Sequence, residues 1–197
     1  MTVTSAGNSE QRAARGPNDP GRRDRIVDAT LDVIAEAGVA GTSHRRIAAA
    51  ADVPLGSMTY YFNGMQELLR DAFTRFATTF SDRFETRMQA ATTPEQAREA
   101  VVAIIADDVF DTQRDLVITH ELYTLAARDP SYRDITDAWM GRSRDALHRH
   151  FDTDTVQMLD ALIEGLTIHR ALSTHPQPRT IVEDAVNRIL PPATDRQ

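Results

Sequence analysis

Residues suited to a buried face recur three or four positions apart along most of the chain, which is the spacing of amphipathic helices. The first such set is Ile26, Thr30, Val33, Ile34 and Ala37. Gly38 follows as a C-terminal cap, and the pattern predicts a first helix beginning at Arg22. Two short helices are predicted next, at about residues 43–50 and 54–61, with a turn at 51–53 between them.

Beyond residue 64 the pattern stays helical almost to the end, and no segment alternates in the manner of a strand. Helix breaks are predicted at residues 93–94, near Asp111, at 129–130, near Asp152 and at 176–178. Thr93 and Gln96 fit a capping box with Pro94 at the first helical position, so this helix start is the best defined of the second half. We therefore predict an all-α protein of about nine helices.

Length and composition indicate an ordinary globular protein, since 197 residues can build one sizeable core or two small ones. No run approaches the roughly 18 apolar residues of a membrane helix, and the first residues lack a secretory layout. We therefore expect a cytoplasmic protein without a membrane partner. Zero cysteines exclude disulfides, thiol catalysis and zinc sites built on thiolates.

The net charge of −7 is unevenly distributed. Residues 1–70 contain eight arginines and eight acidic residues, whereas residues 71–197 contain fourteen arginines and twenty-one acidic residues. Binding to a polyanion such as DNA depends on cationic side chains that neutralise phosphates. A nucleic-acid contact is therefore predicted in the first third of the chain, while residues 1–20, rich in small and polar residues, are predicted to form a flexible arm.

Residues 38–62 have the physical pattern of a helix-turn-helix. Thr42 or Ser43 can cap its first helix. The predicted inner positions are Ile47, Ala51, Val53, Met58 and Phe62. The following helix is predicted to present small and hydroxyl-bearing side chains outward, at Gly56, Ser57, Thr59, Tyr60 and Tyr61.

An arginine pair stands near the same predicted surface, and of the two we favour Arg45 over Arg46 for contact with a phosphate or a guanine. Free backbone N–H groups at the starts of both short helices are further candidate phosphate donors. The full set of predicted DNA contacts is Thr42, Ser43, Arg45, Arg46, Leu55, Gly56, Ser57, Thr59, Tyr60 and Tyr61.

Residues 24–75 resemble the TetR family of transcriptional regulators, in register and without a gap. The matching residues are Thr42, Ser43, Ile47, Ala48, Ala51, Val53, Gly56, Ser57, Tyr60, Phe62, Leu68 and Leu69. The resemblance implies a helix-turn-helix DNA-binding domain at 21–66 and a helical ligand-binding and dimerisation domain at 67–197. It also implies a homodimer that binds a palindromic operator and is released from it by a small-molecule inducer. A repressor is favoured, and an activator would have the same sequence features.

Four positions depart from the family pattern. Asp52 replaces a Gly whose backbone is left-handed, a conformation that Asp tolerates better than most residues. Thr59 and Tyr61 replace a common Tyr and a common His, which puts any carried-over base preference in doubt. Met65 replaces a phosphate-binding Lys, a loss that arginines near the N-terminus could offset: Arg12, Arg15, Arg22 and Arg23.

Two apolar helices near the end are candidates for a two-fold interface. The first, at about 152–174, is apolar on more than one side, and the second carries another apolar face. The predicted interface residues are Leu159, Ile163, Leu166, Ile181, Val182, Ala185, Val186 and Ile189. The alternative is that both faces complete the core of a single chain.

Inward-facing aromatic and polar residues of the middle helices are candidates for an inducer pocket: Phe84, Met88, Ile105, Asp108, His120, Tyr123, Trp139, Ser143 and His169. Asp108 stands on or near an apolar stripe and should have a partner: an Arg in a structural role, His120 or a bound cation. The histidines and Trp139 can equally be ordinary core residues. We predict no metal site, since His148 and His150 face different sides of a helix, and no cofactor.

An enzyme is not expected, because the chain carries no nucleophile elbow, phosphate loop or zinc-protease motif. The alternative function is a helical adaptor that binds another protein and has lost specific DNA binding. The polar side chains of the predicted reading helix argue against that alternative.

Overall fold

The computed structural model describes residues 19–108 and 112–191, except for the side chain at 108. Nine α-helices occur within those ranges: α1 Arg22–Ala37, α2 His44–Ala50, α3 Gly56–Tyr61, α4 Met65–Ala90, α5 Pro94–Ala103, α6 Gln113–Arg128, α7 Arg133–His148, α8 Thr153–Leu172 and α9 Arg179–Ile189. Short 3₁₀ turns at Val39–Gly41 and Pro130–Tyr132, and a π-helical turn at Ile104–Asp108, join some of them. These ranges contain no strand, and the all-α prediction is confirmed. Among the described helices, none is long and apolar enough to cross a membrane.

The chain divides into two compact units, the first ending at Ala72 and the second beginning at Phe73. This division lies a few residues beyond the boundary predicted after residue 66, and α4 begins in the first unit and ends in the second. Most of the predicted arm, residues 1–18, and the break near Asp111 lie outside the described residues.

In the first unit, α1 packs against α2 and α2 packs against α3. Its buried apolar side chains include Ile26, Ile34, Ile47, Ala51, Met58, Phe62, Leu68 and Leu69. Gly38 ends α1 with a φ of 68° while its N–H donates to Ile34 O. Ser43 is the cap of α2, since its Oγ accepts the Arg46 N–H at 3.3 Å, whereas the Thr42 hydroxyl donates to Val39 O at 2.7 Å.

Asp52 adopts the left-handed backbone with a φ of 52°, as the sequence predicted for the turn between α2 and α3. A β-branched residue is poorly tolerated there, because its Cβ substituents crowd the carbonyl groups beside it. We expect Asp52→Val to lower the free energy of unfolding of the first unit by about 1–2 kcal/mol. Urea titration followed by circular dichroism measures the change. Asp52→Asn is the control, since Asn tolerates this backbone, and equal stability of the two variants would contradict the prediction.

The second unit is a helical bundle in which α8 packs against α7, α9 and the π-helical turn, and α9 also packs against α5. Its main core cluster includes Met88, Val101, Ile104, Ile105, Leu147, Val156, Leu159, Ile163, Val182 and Val186. The predicted capping box at α5 is present in modified form. Thr93 Oγ1 accepts the Gln96 N–H at 3.2 Å, but Gln96 Oε1 accepts from the N–H of Thr92 at 2.8 Å, not from Thr93.

Candidate nucleic-acid interface and ligand cavity

The outer face of α3 is exposed, and its residues are among those predicted to contact DNA. Tyr60 is 80% exposed and Leu55, just before the helix, is 54% exposed. Gly56 is open as well, because a Cβ there would meet no atom within 4 Å. Met58 and Phe62 are buried and hold the helix to the first unit. Large apolar and aromatic groups are thus displayed on a rigid helix, where groove contacts are made in helix-turn-helix proteins.

Ser57 does not belong to this exposed face, and its predicted outward orientation is wrong. Its side chain is only 7% exposed, because it falls on the same side of α3 as Met58. The Ser57 N–H donates to Pro54 O at 2.8 Å, and the Met58 N–H donates to Leu55 O at 3.1 Å. These two N–H groups of α3 are therefore not free to bind phosphate, contrary to the prediction for this helix start.

Tyr61 is half-buried and supports Tyr60, since the two rings meet edge to face with their centroids 4.8 Å apart. Thr59 is exposed, and its hydroxyl donates to Gly56 O at 3.2 Å. Oxygen lone pairs remain available on both kinds of hydroxyl for contacts to DNA. The exposed tyrosine is thus oriented by its neighbour before any ligand arrives.

The two arginines of α2 differ in the way their side chains are used. Arg46 Nη1 donates to Gly41 O at 3.3 Å, and Arg46 Nη2 lies 3.2 Å from Glu36 Oε1. Arg45 is exposed and forms no hydrogen bond or ion pair with the residues that the structure describes. Of the pair, Arg45 is the side chain available for a phosphate or a base, in line with the preference drawn from the sequence.

The arginines proposed to offset the missing Lys at position 65 are placed differently from one another. Arg23 pairs with Asp71 and lies over the Phe62 ring at 5.1 Å, so it holds α1 to the start of α4. Arg22 is the first residue of α1. The other two, Arg12 and Arg15, lie outside the described residues. A structural role for Arg23 was not apparent from sequence because its partner is 48 residues away.

A cavity of about 80 Å³ lies in the second unit. Its lining comes from α4, the π-helical turn, α6, α7 and α8, and consists of Phe80, Arg83, Phe84, Ile104, Tyr123, Trp139, Met140, Ser143, Asp160, Ile163, Glu164 and Thr167. Four of the nine residues predicted for the inducer pocket are in this lining: Phe84, Tyr123, Trp139 and Ser143. The predicted set therefore includes three of the four aromatic residues of this lining, and it missed Phe80.

The other predicted pocket residues are not in the lining. Met88 and Ile105 are fully buried in the core cluster. His169 is exposed on α8, so its predicted inward orientation is wrong. His120 lies beside the cavity, with its ring centroid 6.4 Å from that of Tyr123 and its Nδ1 2.8 Å from Leu116 O. The predicted role of Asp108 falls on a side chain outside the described ones.

One wall of the cavity is aromatic and is centred on Trp139. The centroid of its ring lies 5.5 Å from that of Phe80 and 6.2 Å from that of Tyr123. Phe76 supports the wall from behind, edge to face with Trp139 at 5.9 Å. These contacts fix the position of Trp139 in the wall, so an occupant of the cavity would meet aromatic rings on this side.

Two acidic residues of α8 also line the cavity, and sequence reasoning missed both. Asp160 pairs with Arg144 at 3.2 Å. Glu164 Oε2 accepts a hydrogen bond from the Tyr123 hydroxyl at 3.3 Å. Burial raises the pKa of Glu164 above its ordinary value, and burial together with the nearby Glu164 charge raises the pKa of Tyr123. A usable signal was present, because Asp160, Glu164 and Thr167 repeat at helical spacing within an apolar helix.

The predicted dimer residues fall into two groups. Leu159, Ile163, Val182 and Val186 are buried in the core cluster of the single chain, so their assignment to an interface is wrong. Of the remaining four, Leu166, Ala185 and Ile189 are half-buried and Ile181 is 46% exposed. Apolar side chains that were not predicted are also on the surface of α8, with Met158 49% exposed and Leu172 62% exposed.

Two family models together match most of the chain. The model described as bacterial regulatory proteins, tetR family, matches residues 26–72, and the model described as tetracyclin repressor-like, C-terminal domain, matches residues 92–192. Among curated relatives, the HTH-type transcriptional regulator PksA of Bacillus subtilis (strain 168) is 27% identical over 184 residues, covering 86% of each chain. The HTH-type transcriptional regulator BetI of Klebsiella pneumoniae (strain 342) is 25% identical, covering 87% of this chain and 93% of that protein.

Solved structures show the same fold. The crystal structure of SCO7518 from Streptomyces coelicolor A3(2) is 55% identical, with a TM-score of 0.81, and the match covers 86% of this chain and 98% of that one. The multidrug binding protein EbrR, crystallised with ethidium, is 29% identical with a TM-score of 0.71, covering 85% of this chain and 98% of that one. Both units of the chain therefore have relatives in known regulators.

Proposed function

Because the chain belongs to the TetR family of bacterial regulatory proteins, we propose that it is a cytoplasmic, homodimeric repressor released from a palindromic operator by a small-molecule inducer. In this proposal α2 and α3 bind the operator, the cavity of the second unit binds the inducer, and α8 and α9 form the two-fold interface. The small-molecule complexes of the related EbrR support a ligand for the cavity.

The observation that carries the DNA-binding part is the exposed face of α3 together with Arg45. Tyr60 is exposed and oriented by Tyr61, and Arg45 has no partner among the described residues. A displayed aromatic ring and an unpaired guanidinium have no evident structural purpose, whereas both are suited to DNA. The same exposure argues against the adaptor alternative, because Thr59 and Tyr60 expose hydroxyl-bearing side chains on α3 and Arg45 exposes an unpaired charge on α2.

A homodimer supplies the second reading helix that a palindrome requires. The outer face of α8 supports this part of the proposal, since Met158 and Leu172 remain largely exposed in the single chain. Between them on the same face is Gly165, where a Cβ would meet no atom within 4 Å. An apolar face with a glycine near its middle permits close approach of an identical helix. Inducer binding would then act by changing the spacing of the two reading helices.

The direct test is a footprint of the purified protein on the DNA that flanks its own gene, at two salt concentrations. A protected palindrome, with half-sites about one helical turn or a multiple of it apart, is expected for a dimeric regulator of this class. Binding that weakens uniformly with salt and leaves no footprint would contradict specific recognition and favour the adaptor.

Arg45→Gln is expected to weaken operator binding about tenfold and to lower the slope of log affinity against log salt by about one. The reason is the loss of one guanidinium that no other described residue engages. Fluorescence anisotropy with a labelled operator at four salt concentrations measures both quantities. Arg46→Gln is the matched control and should change the slope less, because Arg46 is already held by Gly41 and Glu36. A larger effect at Arg46 would reverse the assignment.

A further inference from the structure

We propose that the cavity of the second unit selects an organic cation with an attached aromatic or apolar group, and that Glu164 is its counter-ion. The inference deepens the proposed function, since it rests on the cavity being the inducer site. Three features of the cavity carry it: the aromatic wall, the pairing of its acidic side chains, and the net charge of its lining.

The aromatic wall favours a cation over a neutral or anionic group of the same shape. The ring centroids of Phe80 and Tyr123 lie 5.5 Å and 6.2 Å from that of Trp139, and all three rings line the same cavity, where a bound cation can approach their negative π faces. A cation against such faces gains electrostatic energy that a neutral isostere does not, and the gain grows when water is displaced. An anion would be repelled by the same faces.

The charges of the lining leave one carboxylate without a cationic partner. Asp160 is offset by Arg144, whereas Glu164 has no ion pair among the described residues and is held only by the Tyr123 hydroxyl. A half-buried carboxylate is costly when it is ionised without a partner, and burial raises the pKa of Glu164 accordingly. A bound cation would supply the missing charge.

The one cationic side chain in the lining stands at the rim. Arg83 is exposed and stacks on the outside of the wall, with its guanidinium carbon 5.7 Å from the Phe80 ring centroid. Its charge is therefore solvated, and Arg83 forms no ion pair with Asp160 or Glu164 among the described contacts. The lining as a whole has two carboxylates and one guanidinium, and this net negative charge disfavours an anion.

The single tryptophan of the chain is a built-in reporter for the test, since Trp139 lies in the cavity wall. We would titrate the full-length protein, without DNA, with three probes of nearly equal shape. Benzyltrimethylammonium is the cation, neopentylbenzene its neutral isostere and phenylmethanesulfonate the anion. Saturable quenching of Trp139 by the cation, with at least tenfold tighter binding than either other probe, is the expected result. Equal or tighter binding of the neutral or anionic probe, or no binding of any probe, would overturn the proposal.

Glu164→Gln tests the counter-ion directly. The cation should bind the variant at least tenfold more weakly, while the neutral isostere binds as before. Glu95→Gln is the matched control, because it removes the same charge from an exposed position on α5 and should change neither affinity. A variant at Glu164 that keeps the full preference for the cation would contradict the assignment.

The pH dependence adds a second readout. Cation affinity should fall as pH falls through the raised pKa of Glu164, because the protonated carboxyl no longer attracts it. The other charged or titratable groups near Glu164 are Arg83 on α4, His120 and Tyr123 on α6, Arg144 on α7 and Asp160 on α8. The part of the pH dependence that Glu164→Gln removes is the part due to Glu164. A profile identical in the variant would overturn its role.

Folding of the variant is checked by thermal denaturation. A raised pKa means that the carboxyl stabilises the fold below its ordinary pKa and that this contribution is lost as pH rises through the raised value. Glu164→Gln should therefore melt no lower than the wild type at neutral pH.

Failure of the inference is separable from failure of the proposed function. A cation that binds but leaves the operator footprint intact would contradict induction, whereas an intact footprint without cation binding would overturn only the ligand class.

Discussion

Operator affinity falls by roughly 100-fold or more when Tyr60 and Tyr61 are both replaced by Ala, which is the largest effect we expect from any change in the first unit. Specific contacts to base edges contribute about 1–3 kcal/mol each, and the double variant removes the exposed ring and the ring that orients it. The fold should be retained, because the buried side chains of Met58 and Phe62 pack α3 against the rest of the first unit. Anisotropy with the footprinted operator and with scrambled DNA measures the loss, and circular dichroism verifies the helices.

The paired replacement by Phe separates the two parts of the tyrosine side chain. It keeps both rings and their edge-to-face contact and removes only the hydroxyls. Retained affinity would assign the interaction to apolar contact, for example with thymine methyl groups, and lost affinity would assign it to hydrogen bonds. Tight, specific binding by the Ala pair would mean that α3 is not the reading helix.

Gly165→Glu should convert the proposed homodimer into a monomer. In the single chain the position is open, since a Cβ would meet no atom within 4 Å, so the added side chain does not disturb the unit itself. In a two-fold dimer each copy would place a charge in an apolar contact, and the penalty counts twice. We expect the dissociation constant of the dimer to rise at least roughly 100-fold, as measured by analytical ultracentrifugation.

Gly141→Glu is the matched control, because that glycine is also helical and open within 4 Å but belongs to α7, which is not part of the proposed interface. It should remain dimeric. Persistence of the dimer in Gly165→Glu would exclude the middle of α8 from the interface and leave Ile181 on α9 as the next exposed apolar position to test. A wild-type protein that is monomeric at micromolar concentration would refute the dimer itself.

Local sequence signals predicted the first unit well. The turn at Asp52, the cap at Ser43 and the end of α1 at Gly38 each depend on a few neighbouring residues, and the structure has all three. The error at Ser57 has a simple origin. A small polar residue is usually exposed, but Ser57 is buried, as is the neighbouring Met58. A six-residue helix also has too few positions for periodicity to show which of its sides is buried.

The second unit was harder to predict because α8 is apolar on several sides. Periodicity shows that such a helix is covered on more than one side. It cannot show which side packs against the same chain and which side packs against a partner. Leu159 and Ile163 were therefore assigned to the interface although they are buried, whereas Met158 and Leu172 on the same helix are exposed and were not predicted. Glu164 was missed for a related reason, since its importance depends on Tyr123, which is 41 residues away.

The π-helical turn at Ile104–Asp108 has a consequence for how such a protein diversifies. A π turn holds one more residue than the α-helical turn it replaces, and such turns are frequent at functional sites. Ile104, which lines the cavity, is the first residue of the turn and has helical dihedrals of φ −55° and ψ −47°, so it stays in register with α5. Loss of a single codon after Ile104 would therefore change the winding of the turn beside the cavity while Ile104 keeps its place. In the proposed regulator, such insertions and deletions in the second unit would alter the signal that is sensed while α3 and its proposed DNA contacts stay the same.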